Sequence, residues 1–193
     1  MSAGVTDGGG NSGSGFRILD SRTICEAGFL TVSRARIAAP DGEEHDRTVV
    51  HHPGAVVVVP VDGDHALMVR QYRVAVQGEI LELPAGKRDG PGEPPADTAA
   101  RELEEEIGRV SGHMELLCEF FNTPGFCDEY SYLYLATQLE ETARNAVSAE
   151  EAHMQIERVP LDRVEAMIAA REIVDAKSII GLLLAKQHLA GRT

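Results

Sequence analysis

The chain has no tryptophan and only three cysteines, Cys25, Cys118 and Cys127, among its 193 residues. Three is an odd number, and none of the spacings matches a zinc or redox pair, which argues against a disulfide framework and a cysteine-bound metal. The thiols read as reduced core or surface groups of a cytoplasmic protein. No apolar run approaches the roughly 20 residues that span a bilayer, and no basic segment leads into an apolar one at the start. Neither a membrane helix nor a signal peptide is expected. Basic residues are scarce, 18 Lys and Arg against 31 Asp and Glu, for a formal charge of −13. That balance disfavours nucleic acid and anionic membranes as partners. It would also repel a phosphorylated ligand, so such a ligand needs a divalent cation and a few local arginines to be held.

What is present is an ordinary hydrophobic content of 43%, enough for one domain with a small appendage. Residues 1–15, MSAGVTDGGGNSGSG, offer almost nothing to bury and are expected to be a disordered tail. Residues 16–52 hold three strand-like pieces, Phe16–Ser21, Phe29–Ala38 and Asp46–His51, the last two joined by the turn Pro40-Asp41-Gly42. This N-terminal β subdomain is too small to stand alone. The main domain, residues 53–193, opens with the apolar, β-branched run Ala55–Val61, a buried strand by composition. Further strands are expected at Ala66–Tyr72, Val74–Leu83, Met114–Phe121, Tyr130–Thr137 and Met154–Val159, and helices at Asp162–Arg171 and Ala176–Leu189. Strands with interspersed helices imply an α+β fold, a mixed β-sheet sandwiched between helices, with the small antiparallel sheet in front.

The stretch from Leu83 to Arg109, LPAGKRDGPGEPPADTAARELEEEIGR, dominates the chemistry. A Gly/Pro-rich loop leads into a short helix that Asp97 or Thr98 can cap and Gly108 can end. Glu105 and Glu106 lie three and four residues beyond Glu102, and all three project from one face, while Ala100, Leu103 and Ile107 fall on another and pack inward. Like charges at this spacing repel. A hard divalent cation such as Mg²⁺ relieves that repulsion, being held by a few carboxylates while keeping waters and phosphate oxygens as its other ligands. A solvated acidic face is the competing reading of any glutamate run.

The ordered pattern Gly86, Glu93 and then Arg101-Glu102-Leu103-Glu104-Glu105-Glu106-Ile107-Gly108 resembles the Nudix box. It departs from the box in two places: six residues rather than five separate Gly86 from Glu93, and Arg109 stands where an apolar residue is usual. The extra residue falls in the loop, where insertions are tolerated. Two further segments resemble the ADP-ribose pyrophosphatase branch of that family. Arg70-Gln71-Tyr72-Arg73 lies upstream, its guanidinium forks suited to phosphate and equally to pairing with surface carboxylates. Pro124-Gly125-Phe126-Cys127-Asp128-Glu129 lies downstream, with Pro124 fifteen positions beyond Arg109.

The resemblance implies a Nudix fold and a Mg²⁺-dependent hydrolase, with Mn²⁺ as an alternative cation, that splits ADP-ribose into AMP and ribose 5-phosphate. It implies metal ligands at Glu102, Glu106 and the Ala85 carbonyl, with Glu105 as a further or water-bridged ligand and Arg101 orienting the glutamates. Substrate contacts fall to Arg70, Arg73, Glu82, Pro124, Gly125 and Phe126. In that branch the water-activating glutamate sits on an acidic loop before the last strand. With Met154 opening that strand, Glu150 takes the position, Glu151 is its rival, and Ala152 stands where some relatives supply another metal ligand. A homodimer sharing the N-terminal sheet is also implied. Two alternatives stay open: a Nudix hydrolase of another nucleoside diphosphate derivative, and a silent nucleotide-binding module. His45, His51 and His52 have no metal-ligand spacing, and the segment from Ile173 to Ser178 reads as packing.

Overall fold

A computed structural model describes residues 14–89, 92–144 and 153–191. Apart from Ser14 and Gly15, the tail expected over residues 1–15 lies outside the described residues. The chain forms two compact units: Met1–Gly54 with Asp89–Gly92 and Phe121–Tyr130, and the remainder.

The first unit carries an antiparallel meander of β1 (Arg17–Ala27), β2 (Leu30–Ala38) and β3 (Glu44–His51). The β2–β3 turn has Gly42 at φ 90°, and the Asp41 side chain accepts from the Glu43 N–H at 3.0 Å, a local bond typical of Asx turns. β1 is longer than the expected Phe16–Ser21. It is exposed along its whole length and shifts register after Ile18 and after Thr23. A strand with neither face buried and two irregularities has no clean alternation for a sequence reading to detect.

The second unit is built on a sheet of β4 (Ala55–Asp62), β5 (His65–Arg73), β6 (Gly78–Glu82), β7 (Ala85–Lys87), β8 (Arg109–Phe121), β9 (Tyr130–Glu141) and β10 (Gln155–Pro160). The main order is β10-β5-β4-β9-β8, with β6 on β5 and β7 on β4. β4 runs parallel to β9 and antiparallel to β5 and β7, so the sheet is mixed. Val56 to Val59 are fully buried because both faces of β4 are covered, and successive side chains go to opposite faces. Val56 and Val58 join Ala99, Leu103 and Ile107 of helix α1 (Pro95–Ile107). Val57 and Val59 join Leu182 and Ala185 of helix α3 (Ala176–Ala190), together with Leu83 and Leu133. Each such buried Val, Leu or Ile side chain contributes about 1.5–3 kcal/mol. At Gly181 an added Cβ would stand 2.6 Å from Leu83 Cδ1, so a side chain there would push α3 off the sheet.

Several boundaries differ from the sequence reading. α1 begins at Pro95, whose missing N–H is harmless in a first turn, and no side chain caps it; Asp97 lies within that turn and Thr98 is buried. Ala99, not Ala100, shares the inward stripe with Leu103 and Ile107, since steps of four residues stay on one side of a helix. The expected strand Val74–Leu83 is broken by a 3-10 turn, Val74–Val76, and by Gln77 at φ 53°. The expected helix Asp162–Arg171 is a 3-10 turn, Leu161–Arg163, followed by α2 (Val164–Ala169). Among the described residues, no helix is long and apolar enough to cross a membrane.

Candidate active site

Helix α1 brings its carboxylates against β7, and the contact is made at backbone level. Gly108 ends the helix at φ 60°, its N–H donating to the Glu104 carbonyl, as the αL terminus requires. Two residues earlier, Glu106 is almost fully buried and its Oε2 accepts the Ala85 N–H at 3.0 Å. Glu102, also buried, lies over the next residue of β7. A Cβ placed on Gly86 would come within 1.9 Å of Glu102 Oε1. The strand is therefore flanked by two carboxylates, one hydrogen-bonded to Ala85 and one seated where Gly86 has no side chain.

A pair of buried acids repels itself unless cations or donors face it. One cation is Arg101, whose Nη1 donates to Glu102 Oε1 at 2.8 Å and to Glu105 Oε2 at 2.9 Å, with its Nε 3.6 Å from Glu93 Oε1. Glu93, Arg101, Glu102 and Glu105 of the box motif thus form one linked set. The carboxylates do not stand on a solvated face, in contrast to the simple picture of one buried and one acidic side.

Upstream, Glu82 is buried and accepts from Gln71 Nε2 at 2.8 Å and from Arg73 Nη2 at 2.6 Å. Burial alone would lower the Arg73 pKa, but its bonds to Glu82, with the fields of Glu106 and Asp175, raise it instead. Arg70 Nε and Nη2 donate to the two oxygens of Glu157 on β10, which also raises its pKa. Both arginine forks are turned onto carboxylates here.

A further tie lies in the segment from Ile173 to Ser178, which the sequence implies only as packing. Ser178 is wholly buried; its Oγ accepts the Leu83 N–H at 2.8 Å and donates to Asp175 Oδ2 at 2.8 Å. Asp175 also caps α3 through the Ser178 N–H at 2.9 Å and meets Lys177 Nζ at 2.8 Å. Burial pushes the Asp175 pKa up, but Lys177 and Ser178 outweigh it and hold the carboxyl below its ordinary range. This anchors the chain two residues before Ala85. An Asp-x-x-Ser cap before an apolar helix was the available signal, though nothing in it pointed to Leu83.

Pro124, Gly125 and Phe126 belong to the first unit, on a loop tied to β3. Glu150, Glu151 and Ala152 lie outside the described residues. His52 meets Phe29 edge-on at 5.3 Å, and His45 is 3.9 Å from Glu43.

The oxygen-rich surroundings of Ala85 and Gly86 fit a hard divalent cation. Glu102 and Glu106 are placed beside a strand that offers a backbone carbonyl. The side-chain-free position at Gly86 leaves room for the Glu102 carboxylate. Among the described residues, no three His, Cys, Asp or Glu side chains are gathered closely enough to hold a metal ion by themselves. Mg²⁺ does not need such a cage, because it keeps waters and substrate oxygens in its shell.

This arrangement is that of a Nudix enzyme, and the chain belongs to that family: the NUDIX domain matches residues 50–179. It is a Nudix hydrolase, of a class that acts on nucleotide-type small molecules with a divalent metal. It is 37% identical to an ADP-ribose pyrophosphatase of Mycobacterium tuberculosis (strain ATCC 25618 / H37Rv), across 87% of this chain and 82% of that one. It is equally 37% identical to a methanol dehydrogenase activator of Bacillus methanolicus, over 76% and 79% of the two chains. A crystal structure of an ADP compounds hydrolase superposes with a TM-score of 0.81 at 23% identity, covering 91% of this chain and 94% of the other, which shows the fold.

Proposed function

We propose that the protein is a cytoplasmic, homodimeric ADP-ribose pyrophosphatase that uses Mg²⁺, or Mn²⁺ in its place. The observation that carries the reading is the pair of buried carboxylates, Glu102 and Glu106, set against Ala85 and Gly86, in a chain related to an ADP-ribose pyrophosphatase. Glu102, Glu106 and the Ala85 carbonyl would hold the metal, with Glu105 as a further ligand, direct or through water. A cation held there would offset the charge of the pyrophosphate and lower the pKa of a bound water.

The chain's own residues do the rest. Arg101 keeps Glu102 and Glu105 aligned through its two contacts. Glu150, in the acidic stretch of sequence before β10, takes the proton of the attacking water. Arg70 and Arg73 supply planar cationic forks for phosphate oxygens, exchanging part of their present pairing with Glu157 and Glu82. Glu82, fixed by Gln71 and Arg73, positions the Arg73 fork. Pro124, Gly125 and Phe126 contact the nucleoside portion. Water adds to one phosphorus as the bridging P–O bond breaks, yielding AMP and ribose 5-phosphate. In domain terms, residues 16–52 form the N-terminal β subdomain and 53–193 the hydrolase domain.

The test is product analysis after incubation with Mg²⁺ and ADP-ribose, run beside GDP-mannose, a dinucleoside polyphosphate and other nucleoside diphosphate derivatives. Equal identity to a methanol dehydrogenase activator makes the wider panel necessary. Release of AMP and ribose 5-phosphate with the highest kcat/KM on ADP-ribose is expected. A stronger preference for another member would overturn the substrate assignment, and binding without turnover would favour the silent module.

A further inference from the structure

His51, at the end of β3, stands outside the box and has no role in the account above. Its Nε2 lies 2.8 Å from Ser33 Oγ on β2, and its Nδ1 lies 2.6 Å from Asp128 Oδ2. The other Asp128 oxygen accepts the His52 N–H at 2.8 Å. Serine, histidine and aspartate in this atom order form the relay of acyl-transfer hydrolases. Here Ser33 is only 4% exposed, which closes its hydroxyl to an ester, so the relay holds rather than attacks.

What it holds is the segment from Asn122 to Glu129. The Phe126 carbonyl accepts the Val50 N–H at 2.8 Å, and the Val50 carbonyl accepts the Asp128 N–H at 3.1 Å. The Asn122 N–H donates to the Glu129 carbonyl at 3.1 Å across the base of the loop, where the Phe121 and Tyr130 rings meet edge-on at 4.8 Å. In the middle of this pinned segment Phe126 remains 57% exposed. Beside it, a Cβ on Gly125 would meet nothing within 4 Å. An apolar ring fixed by its backbone yet left open is pre-organised to stack on a planar group at little cost in ordering.

The clamp works in either protonation state of His51. A neutral ring can donate from Nδ1 to Asp128 and accept the Ser33 hydroxyl, and an imidazolium donates to both.

We propose that His51 is a positioning residue for substrate affinity: through Asp128 it fixes the loop that presents Phe126 to the planar base of the nucleotide. The proposal deepens the ADP-ribose reading and rests on it. Two substitutions separate the halves of the clamp. His51→Asn keeps a donor where Nδ1 stands, and His51→Gln keeps only a group reaching toward Ser33. His51→Gln is expected to raise KM for ADP-ribose about tenfold, the scale of one lost charge-assisted hydrogen bond. kcat and Tm should change little, and His51→Asn should stay close to wild type. Asp128→Asn should follow His51→Gln and carries the same comparison if that variant fails to fold. An unchanged KM in both, a fall in kcat alone, or equal damage in His51→Asn would overturn the proposal.

A second measurement uses Phe126→Trp, the sole tryptophan of its chain, titrated with AMP without metal. Saturable quenching that weakens by a similar factor when His51→Gln is added supports the clamp; absent or unaffected quenching overturns it. If the wild type leaves ADP-ribose intact, the proposed activity fails, and this titration decides on the clamp alone.

Discussion

The carboxylate of Glu102 occupies the space that a side chain on residue 86 would need: an added Cβ there would lie 1.9 Å from Oε1 and 2.0 Å from Cδ. The glycine that opens the box is thus tied to the first glutamate of the Glu-x-x-Glu-Glu set by exclusion of volume. Because the colliding atoms are the end of a flexible side chain, the strand can keep its place while the carboxylate moves.

That relationship predicts the behaviour of Gly86→Ala. Folding should be nearly unaffected, with Tm close to wild type. Displacing a metal-type ligand should weaken metal affinity and activity on the order of 10–100-fold, the usual cost of disturbing the support of a metal ligand. Isothermal titration with Mg²⁺ or Mn²⁺, paired with thermal melts, checks this. A variant that loses stability while keeping metal affinity would contradict the assignment.

Glu106→Gln isolates charge from shape. The amide oxygen can still accept the Ala85 N–H that Glu106 Oε2 now accepts at 3.0 Å, so circular dichroism and Tm should be preserved. Activity should fall by orders of magnitude, because the proposed metal set loses one negatively charged oxygen. Near-normal turnover would remove Glu106 from the proposed metal set.

Asp175 makes a prediction about acid stability. Its folded pKa is held below the ordinary range by Lys177 and Ser178, which outweigh the opposing effect of burial. A carboxyl depressed in the folded state contributes stability that is fully present above its unfolded pKa, about 3.9. That contribution is lost as pH falls toward the folded value. The Tm of the wild type should therefore exceed that of Asp175→Asn most clearly at neutral pH, and the gap should narrow below about pH 4. Melts across that range test the sign, and a gap that widens in acid would refute it.

The proposed water-activating role is tested in the acidic segment that precedes β10 in the sequence. Glu150→Gln should lower kcat by roughly 10²–10⁴-fold, the scale of general-base catalysis, with metal affinity retained, whereas Glu151→Gln should do less. Equal and small effects in both would return the role to a box glutamate such as Glu105.

Much of this protein could be read along the chain because its strongest signals are local. The run Ala55–Val61 announces a buried strand by composition. The spacing of Glu102, Glu105 and Glu106 places them within two turns of one helix whatever that helix packs against. Gly108 marks a terminus because few other residues accept its positive φ. The order of Gly86, Glu93 and the Arg-Glu-Leu-Glu-Glu-Glu-Ile-Gly run was enough to point to the Nudix family. Partners distant in sequence were decided only when the chain folded. Glu102 and Glu106 became buried because β7 turns back along β4 beneath α1, which helical periodicity cannot show. Arg73 and Gln71 met Glu82 through the antiparallel register of β5 and β6. Ser178 found the Leu83 N–H across 95 residues, and Asp128 found His51 across 77. Such bonds depend on register and on the close approach of separate elements, and these follow from packing the whole core rather than from the pattern of any one segment.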